Sequence, residues 1–216
     1  MPSTILNRLL WFVMLGVLGI VLYYSDVGAY LGKGRLTVAT DPADERTVIL
    51  RWRGAIEPPM RARIEDAFKE HRHQAATFVL SLSSPGGSVS HGAAVVRVLR
   101  DIRRTHRLET VLEGANTCAS MCVPIYLQGE VRRATGRSRW MFHEVSLRDP
   151  FTDEKSEMRP SDRNARTDKL FDDFFRPAGV PESWMAQMRT LIKSGDVWRS
   201  GDELLGERAG IVLDRL

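Results

Sequence analysis

The sequence is poor in cysteine: only 2 of its 216 residues are cysteines. It has neither zinc-finger spacing nor a basic motif rich in aromatic residues, so nothing in it predicts a nucleic-acid partner. It contains no internal repeat. The length suits one domain with an appendage. A body of about 170 residues buries about 70% of its unfolded surface, so it can form a core without disulfide staples.

The chain also lacks a strong charge of either sign. Its net charge is +4, with 43% hydrophobic and 27% charged residues, which is ordinary for a globular protein. Arginine is concentrated in two stretches, 97–107 and 132–139. Two interpretations stay open: these are a solvated helix face and a surface turn, or they attract anionic lipid headgroups.

Charge is absent altogether from residues 9–24, LLWFVMLGVLGIVLYY. As a helix this stretch spans about 24 Å, a little less than a hydrocarbon core of about 30 Å. Arg8 precedes it, so the stretch predicts a transmembrane anchor with the body on the extracytoplasmic, periplasmic side. The alternative is a signal peptide cleaved near the small residues at 27–29, which would give a secreted body.

The sequence therefore predicts an N-terminal flank, an apolar segment, a linker and one folded domain. The linker is rich in Gly, Pro, Asp and Ser and carries no sustained apolar period. The four segments are, in order, residues 1–8, 9–24, 25–45 and 46–216.

Within the domain, short β-rich segments alternate with helical patterns. TVILRWRGAI (47–56) precedes a helical pattern at 60–71, and TFVLSLS (77–83) precedes another at 89–104. This alternation predicts βαβ units, a mainly parallel sheet and an α/β fold. Functional sites of such sheets gather where strands end and helices begin.

Four short motifs lie at such ends. SSPGGS (83–88) has two glycines that can turn N–H groups toward an anion. NTCASMC places Ser120 at a helix start, WMFHE presents His143, and SGDVWRS offers Asp196. Each motif alone has an ordinary structural explanation as a turn, a packed serine, a surface histidine or a cap. Together they supply the nucleophile, base, orienting acid and oxyanion hole that acyl transfer to a serine needs.

These motifs resemble those of the Clp protease proteolytic subunit and its relatives, signal peptide peptidase A and the membrane-bound ClpP-like proteases. SLSSPGGSVSHG (81–92) is similar to the oxyanion segment of that family. CASMCVPIYLQGEVRRATGRSRWMFH (118–143) is similar to its serine-to-histidine segment, and GDVWRSGDELLGERAGIVLD (195–214) to its aspartate segment. The resemblance covers about residues 46–216. It implies a ClpP/crotonase-like α/β fold with repeated ββα units.

The resemblance also implies a role for individual residues. It assigns a catalytic serine, histidine and aspartate and two backbone N–H donors of an oxyanion hole. The catalytic residues are Ser120, His143 and Asp196. The N–H donors are Met121 and either Gly87 or its neighbour Gly86.

The sequence departs from the family pattern, and two of the departures bear on the site and its partners. Cys118 and Cys122 flank Ser120 where the family usually has small residues, and their spacing is at the edge of disulfide geometry. A disulfide, two buried thiols and a catalytic thiol all stay open. The N-terminal loops with which the cytosolic protease meets its ATPase are replaced by the apolar segment, so no ATPase partner is implied.

The general base has a second candidate. Lys169 lies 49 residues after Ser120, which would suit the serine–lysine dyad of signal peptide peptidases. His143 is favoured because its MFH motif matches and Asp196 is there to support it. Two other classes stay open as well: a catalytically silent ClpP-fold scaffold, and a crotonase-like acyl-CoA enzyme.

The leading expectation is an exported, membrane-anchored serine endopeptidase. Its implied partners are a peptide or protein substrate, the membrane through the N-terminal helix, and further copies of itself in a homo-oligomer. No cofactor and no metal are implied.

Overall fold

The computed structural model describes residues 34–148 and 155–216. The predicted flank at 1–8 and the apolar segment at 9–24 lie outside the described residues. Of the helices within the described ranges, none is both long and apolar enough to cross a membrane.

The largest sheet contains six strands. They are β1 (Arg35–Asp41), β2 (Asp44–Arg53), β3 (Thr77–Ser83), β4 (Arg107–Leu112), β6 (Val131–Ala134) and β11 (Asp214–Arg215). Their spatial order is β1-β2-β3-β4-β6-β11. β1 runs antiparallel to β2, and the other four pairs are parallel. The mainly parallel sheet predicted from the alternating pattern is therefore confirmed.

A smaller sheet stands beside it. It contains β5 (Thr117–Ala119), β7 (Arg139–Phe142) and β10 (Val197–Ser200). β7 is central, parallel to β5 and antiparallel to β10. A third, two-stranded sheet pairs β8 (Leu147–Arg148) with β9 (Lys155–Ser156).

Six α-helices accompany the sheets in the described part of the chain. They are α1 (Met60–His71), α2 (Val89–Arg103), α3 (Cys122–Tyr126), α4 (Pro160–Leu170), α5 (Glu182–Leu191) and α6 (Gly201–Gly206). A π-helical turn (Phe171–Phe175) and a 3-10 turn (Arg176–Ala178) extend α4, and a 3-10 turn (Ile192–Ser194) extends α5.

Helix α2 shows how the sequence pattern forms the core. Its buried residues Val95, Leu99 and Ile102 recur at helical spacing on one face, while its arginines are exposed. The helix begins where the Ser88 hydroxyl accepts a hydrogen bond from the His91 N–H at 3.2 Å. Because Leu99 is fully buried, Leu99→Ala would cost about 2–5 kcal/mol of stability.

The folded body begins earlier than the sequence predicts. Residues from Arg35 onward, placed in a linker at 25–45, form β1 and the start of β2. β1 pairs with β2 along its length, with Leu36 opposite Trp52. Most β1 side chains are exposed, so the strand carries no apolar period by which the sequence could reveal it.

The arginine stretch at 132–139 is not simply a surface turn. Arg132 lies on β6 and is only 6% exposed. Its guanidinium donates hydrogen bonds to the carbonyl oxygens of Leu127, Ala178 and Gly210. These bonds to backbone oxygens allow a charged side chain to be buried in the domain.

The segment that follows β3 forms bridges to the smaller sheet and to the segment that follows β2. Ser84, directly after β3, forms an isolated bridge with Cys118 of β5. Ile56, shortly after β2, forms another with Gly87. The carboxyl end of β3 is therefore joined to the strand that leads into Ser120, as is expected of a site in an α/β fold.

Candidate active site

Ser120 occupies the turn between β5 and α3. Its backbone is left-handed, with φ of +53°, which is uncommon for a residue with a side chain. Its N–H donates to the Met141 carbonyl at 2.9 Å, and its carbonyl accepts from the Val123 N–H at 3.0 Å. These bonds hold the turn against β7 on one side and α3 on the other. The half-buried side chain is thereby fixed at a sharp corner.

His143 contacts Ser120 directly. It follows the last residue of β7 and is half-buried. Its Nε2 atom lies 2.7 Å from the Ser120 Oγ. With a neutral imidazole that accepts at Nε2, the serine hydroxyl is the donor, which is the arrangement a serine nucleophile and its general base require.

Asp196 lies level with His143 in the smaller sheet. β10 runs antiparallel to β7 with Val197 opposite Phe142, so the preceding residue, Asp196, comes opposite His143. The Asp196 side chain is exposed. The structure thus brings Ser120 and His143 into contact and brings Asp196 into register beside them.

The two glycines of the PGG motif are sterically required. Gly86 has φ of +99° and Gly87 has φ of +151°. A Cβ at Gly86 would lie 2.7 Å from the Ser120 Cβ, and one at Gly87 would lie 2.6 Å from the Ile56 carbonyl oxygen. Only glycine allows the backbone to approach Ser120 this closely.

The pairing of this segment also orients the Gly87 N–H. Ile56 donates its N–H to the Gly86 carbonyl at 2.7 Å and accepts the Ser88 N–H at 3.0 Å. Gly87 lies between those two partners, so its own N–H points away from Ile56. An N–H in that orientation suits the oxyanion role that the sequence assigns to Gly87.

Met121, the second predicted donor, follows Ser120 and precedes α3. Its side chain is buried and packs against Gly92 of α2, where a Cβ would lie 2.3 Å from the Met121 Cγ. Gly92 was not predicted as a site residue. Its only signal in the sequence is its place at the end of the motif PGGSVSHG, four residues after Ser88, the N-cap of α2.

Ser84 is another residue that the sequence analysis missed. It is buried, and its hydroxyl accepts the Gly86 N–H at 3.1 Å. Its backbone donates to the Thr117 carbonyl at 2.8 Å and accepts the Ala119 N–H at 3.0 Å. Ser84 therefore ties the glycine segment to the strand that leads into Ser120.

The two cysteines are joined in a disulfide. Cys118 and Cys122 have Cα atoms 5.2 Å apart, and both are fully buried. Of the three states left open by the sequence, the structure has the disulfide. It crosses the turn that contains Ser120.

Lys169, the alternative base, has a different environment. It lies on α4, its side chain is 74% exposed, and its Nζ forms an ion pair with the Asp173 carboxylate at 2.8 Å. The hydrogen bond and charge of Asp173 raise the pKa of Lys169 above its ordinary value. A lysine that acts as a base near neutral pH needs its pKa lowered.

The backbone just beyond His143 is anchored to α4. The Val145 N–H donates to the Thr167 Oγ1 at 3.0 Å, and Thr167 is buried. The neighbouring Glu144 carboxylate lies 3.5 Å from the Arg163 guanidinium. These contacts restrain the segment that carries the histidine.

The comparisons with known proteins give one kind of match. No family model matches the chain, and no curated protein does. Among solved structures, it is similar to a ClpP1 mutant from Listeria monocytogenes, with 18% identity and a TM-score of 0.56. The match covers 79% of this chain and 91% of that one. At this level of identity the likeness concerns architecture alone, and it shows that the described body has a ClpP-like α/β fold.

Proposed function

We propose that the protein is a serine peptidase in which Ser120 is the nucleophile and His143 the general base. The observation that carries the proposal is the 2.7 Å contact between the His143 Nε2 and the Ser120 Oγ. It occurs on a ClpP-like fold, beside a glycine segment whose backbone approaches the serine closely.

The mechanism follows from these positions. His143 accepts the hydroxyl proton as the Ser120 Oγ attacks the carbonyl carbon of a peptide bond. The resulting imidazolium then donates the proton to the leaving amine, and water releases the acyl group from the serine. Asp196, level with His143, orients the ring and stabilises its positive charge.

The negative charge of the tetrahedral intermediate needs N–H donors. We assign them to Gly87, which follows the glycine that lies close to Ser120, and to Met121, the residue after the serine. Loss of one such donor typically costs about 3–4 kcal/mol in the barrier. A Cβ at Gly86 would have no room beside Ser120, so the glycine backbone lies close to the serine, as this role requires.

We further propose that the peptidase is exported and anchored by residues 9–24, with its body in the periplasm. An uncharged 16-residue stretch supports this, and so does a disulfide, which persists in oxidising compartments. A C-terminal alkaline phosphatase fusion should be active in cells. Export would be contradicted if only reporters that work in the cytoplasm were active when fused to the C-terminus.

Self-assembly into a homo-oligomer is part of the same proposal and is measured by light scattering of the purified protein.

The nucleophile is tested by a fluorophosphonate probe and mass spectrometry. The native protein should be labelled on Ser120, and Ser120→Ala should lose both labelling and peptide cleavage while it keeps its fold. Ser161→Ala, at an exposed serine of α4, is the matched control and should behave as the native protein. Undiminished cleavage by Ser120→Ala would sink the proposal. Absence of labelling in the native protein would favour a silent scaffold or a crotonase-like enzyme.

A further inference from the structure

The disulfide encloses the proposed nucleophile. Cys118 is the central residue of β5, and Cys122 is the first residue of α3. The ring they close contains Ala119, Ser120 and Met121. It therefore encloses both the nucleophile and one of the two assigned oxyanion donors.

We propose that the Cys118–Cys122 disulfide is a positioning device for catalysis, which holds the Ser120 hydroxyl and the Met121 N–H in their working geometry. This inference rests on the proposed peptidase function. It assigns the cysteines no chemistry of their own: they act through the two residues that they enclose.

The disulfide is poorly suited to stabilise the domain as a whole. A cross-link limits the unfolded chain more as its loop grows longer, and here the cysteines are only 4 residues apart. The core does not depend on it either, because a large set of apolar side chains is buried across both sheets and the helices. Its main constraint is therefore local and acts on three residues.

Those residues need such a constraint. Ser120 has a left-handed backbone that residues with side chains rarely adopt. On the strand side, the turn is held by the Ala119 N–H bond to Ser84 and the Ser120 N–H bond to Met141. On the helix side, the Ser120 carbonyl accepts a bond from the Val123 N–H. The disulfide adds a covalent connection between the two sides.

The disulfide is also protected from reductants in the folded protein. Both cysteines are fully buried, so a reductant in solution reaches the sulfur atoms only when the structure opens. This burial indicates a fixed support for the site rather than a switch. Without the support, a shift of about 1 Å between the hydroxyl and the oxyanion donors would lower the rate by about 100-fold.

The experiment compares oxidised and reduced forms of the same sequence. The full protein is opened in mild denaturant with dithiothreitol, returned to native buffer with the reductant present, and checked for two thiols by alkylation and mass spectrometry. Inactivation by the fluorophosphonate is then measured for its maximal rate and its half-saturating concentration. We expect the maximal rate to fall at least about 10-fold on reduction and the half-saturating concentration to change less than about twofold. Reoxidation should restore the rate.

Two variants separate positioning from packing. Cys118→Ala/Cys122→Ala should show the same reduced rate and no response to reductant. Ile125→Val removes a methyl group from a fully buried position of α3 outside the ring, and should keep the native rate. If the double variant fails to fold, the reduced native protein decides the question, because it keeps every side chain.

The outcomes distinguish this inference from the proposed function. If the oxidised protein is not labelled on Ser120, the peptidase proposal fails and the positioning role fails with it. If it is labelled, and the reduced protein is labelled at the same maximal rate, the positioning role alone is overturned. A protein from the periplasm that contains two free thiols would overturn it as well.

Discussion

Two candidate bases lie in contrasting regions of the molecule. His143 is half-buried, in contact with Ser120, beside a glycine segment with no room for a Cβ. Lys169 lies on an exposed helix face, where Asp173 stabilises its charged form. The contrast shows that a side chain can act as a base only where its surroundings favour its neutral form. The crowded region provides a partner for neutral imidazole, whereas the open region keeps the amine protonated.

The largest expected effect comes from exchanging each base in turn. His143→Ala should lower kcat at least about 10³-fold, because it removes the group that accepts the serine proton. Lys169→Ala should stay within about twofold of the native protein. If His143 is the base, activity should not require the strongly alkaline pH at which a lysine becomes neutral. The measurement is the pH profile of peptide cleavage for all three proteins.

The opposite result would make Lys169, rather than His143, the base. A lysine base whose pKa is raised would become neutral only in strongly alkaline solution, so activity would climb toward and beyond about pH 10. Activity lost in Lys169→Ala and retained in His143→Ala would move the chain to the serine–lysine mechanism.

Asp196→Asn tests whether the register of β10 with β7 serves catalysis. An amide N–H at this position would donate to the Nδ1 atom of His143 and stabilise the tautomer whose Nε2 carries the proton, so kcat should fall by about 100-fold or more. We expect a smaller loss than for His143→Ala, because Asp196 is exposed and water can take over part of its role. Asp202→Asn, at another exposed aspartate, is the control. Full activity in Asp196→Asn would reduce the site to Ser120 and His143.

A pair of glycine substitutions tests the crowding itself. A Cβ at Gly86 would meet the Ser120 side chain and the Ala119 carbonyl, and φ there is +99°. Gly86→Ala should therefore slow fluorophosphonate labelling by about 10–100-fold, because it displaces the nucleophile. Gly206, at the end of α6, has open space around it, so Gly206→Ala should label at the native rate. Equal rates in the two variants would show that the glycine segment does not constrain Ser120.

The sequence predicts regular elements of this fold better than its irregular ones. Helix α1 and strand β3 occur where the pattern places them, because each buries one or both faces in the core. β10 was not predicted: it has only four residues, and Trp198 on it is largely exposed. β6 was hidden for a different reason. Its Arg132 is buried by bonds to carbonyls that are distant in sequence, and no local pattern reveals them.

The site is also predictable only in part, because its contacts join residues that are distant in sequence. Ser120 and His143 were identified through motifs in the sequence, but their contact depends on the pairing of β5 with β7. The part played by Ser84 depends on a bridge to Cys118 that local sequence does not encode. Tertiary pairing, rather than residue type, decides which of the polar residues near a strand end reach the serine.

The smallest expected effect concerns the anchor behind His143. Thr167→Val keeps the side-chain shape but removes the oxygen that accepts the Val145 N–H. Because Thr167 is buried, the unpaired N–H should cost about 1–3 kcal/mol of stability. The histidine itself keeps its contact with Ser120, so kcat should fall only a few-fold. Thr190→Val, at an exposed threonine of α5, is the matched control and should leave both the unfolding midpoint and kcat unchanged. Denaturant unfolding gives the unfolding midpoint, and the kinetics of peptide cleavage give kcat. A loss of kcat in Thr167→Val as large as that of His143→Ala would show that α4 positions the base. The helix that carries the exposed Lys169 would then also support the site around Ser120 and His143.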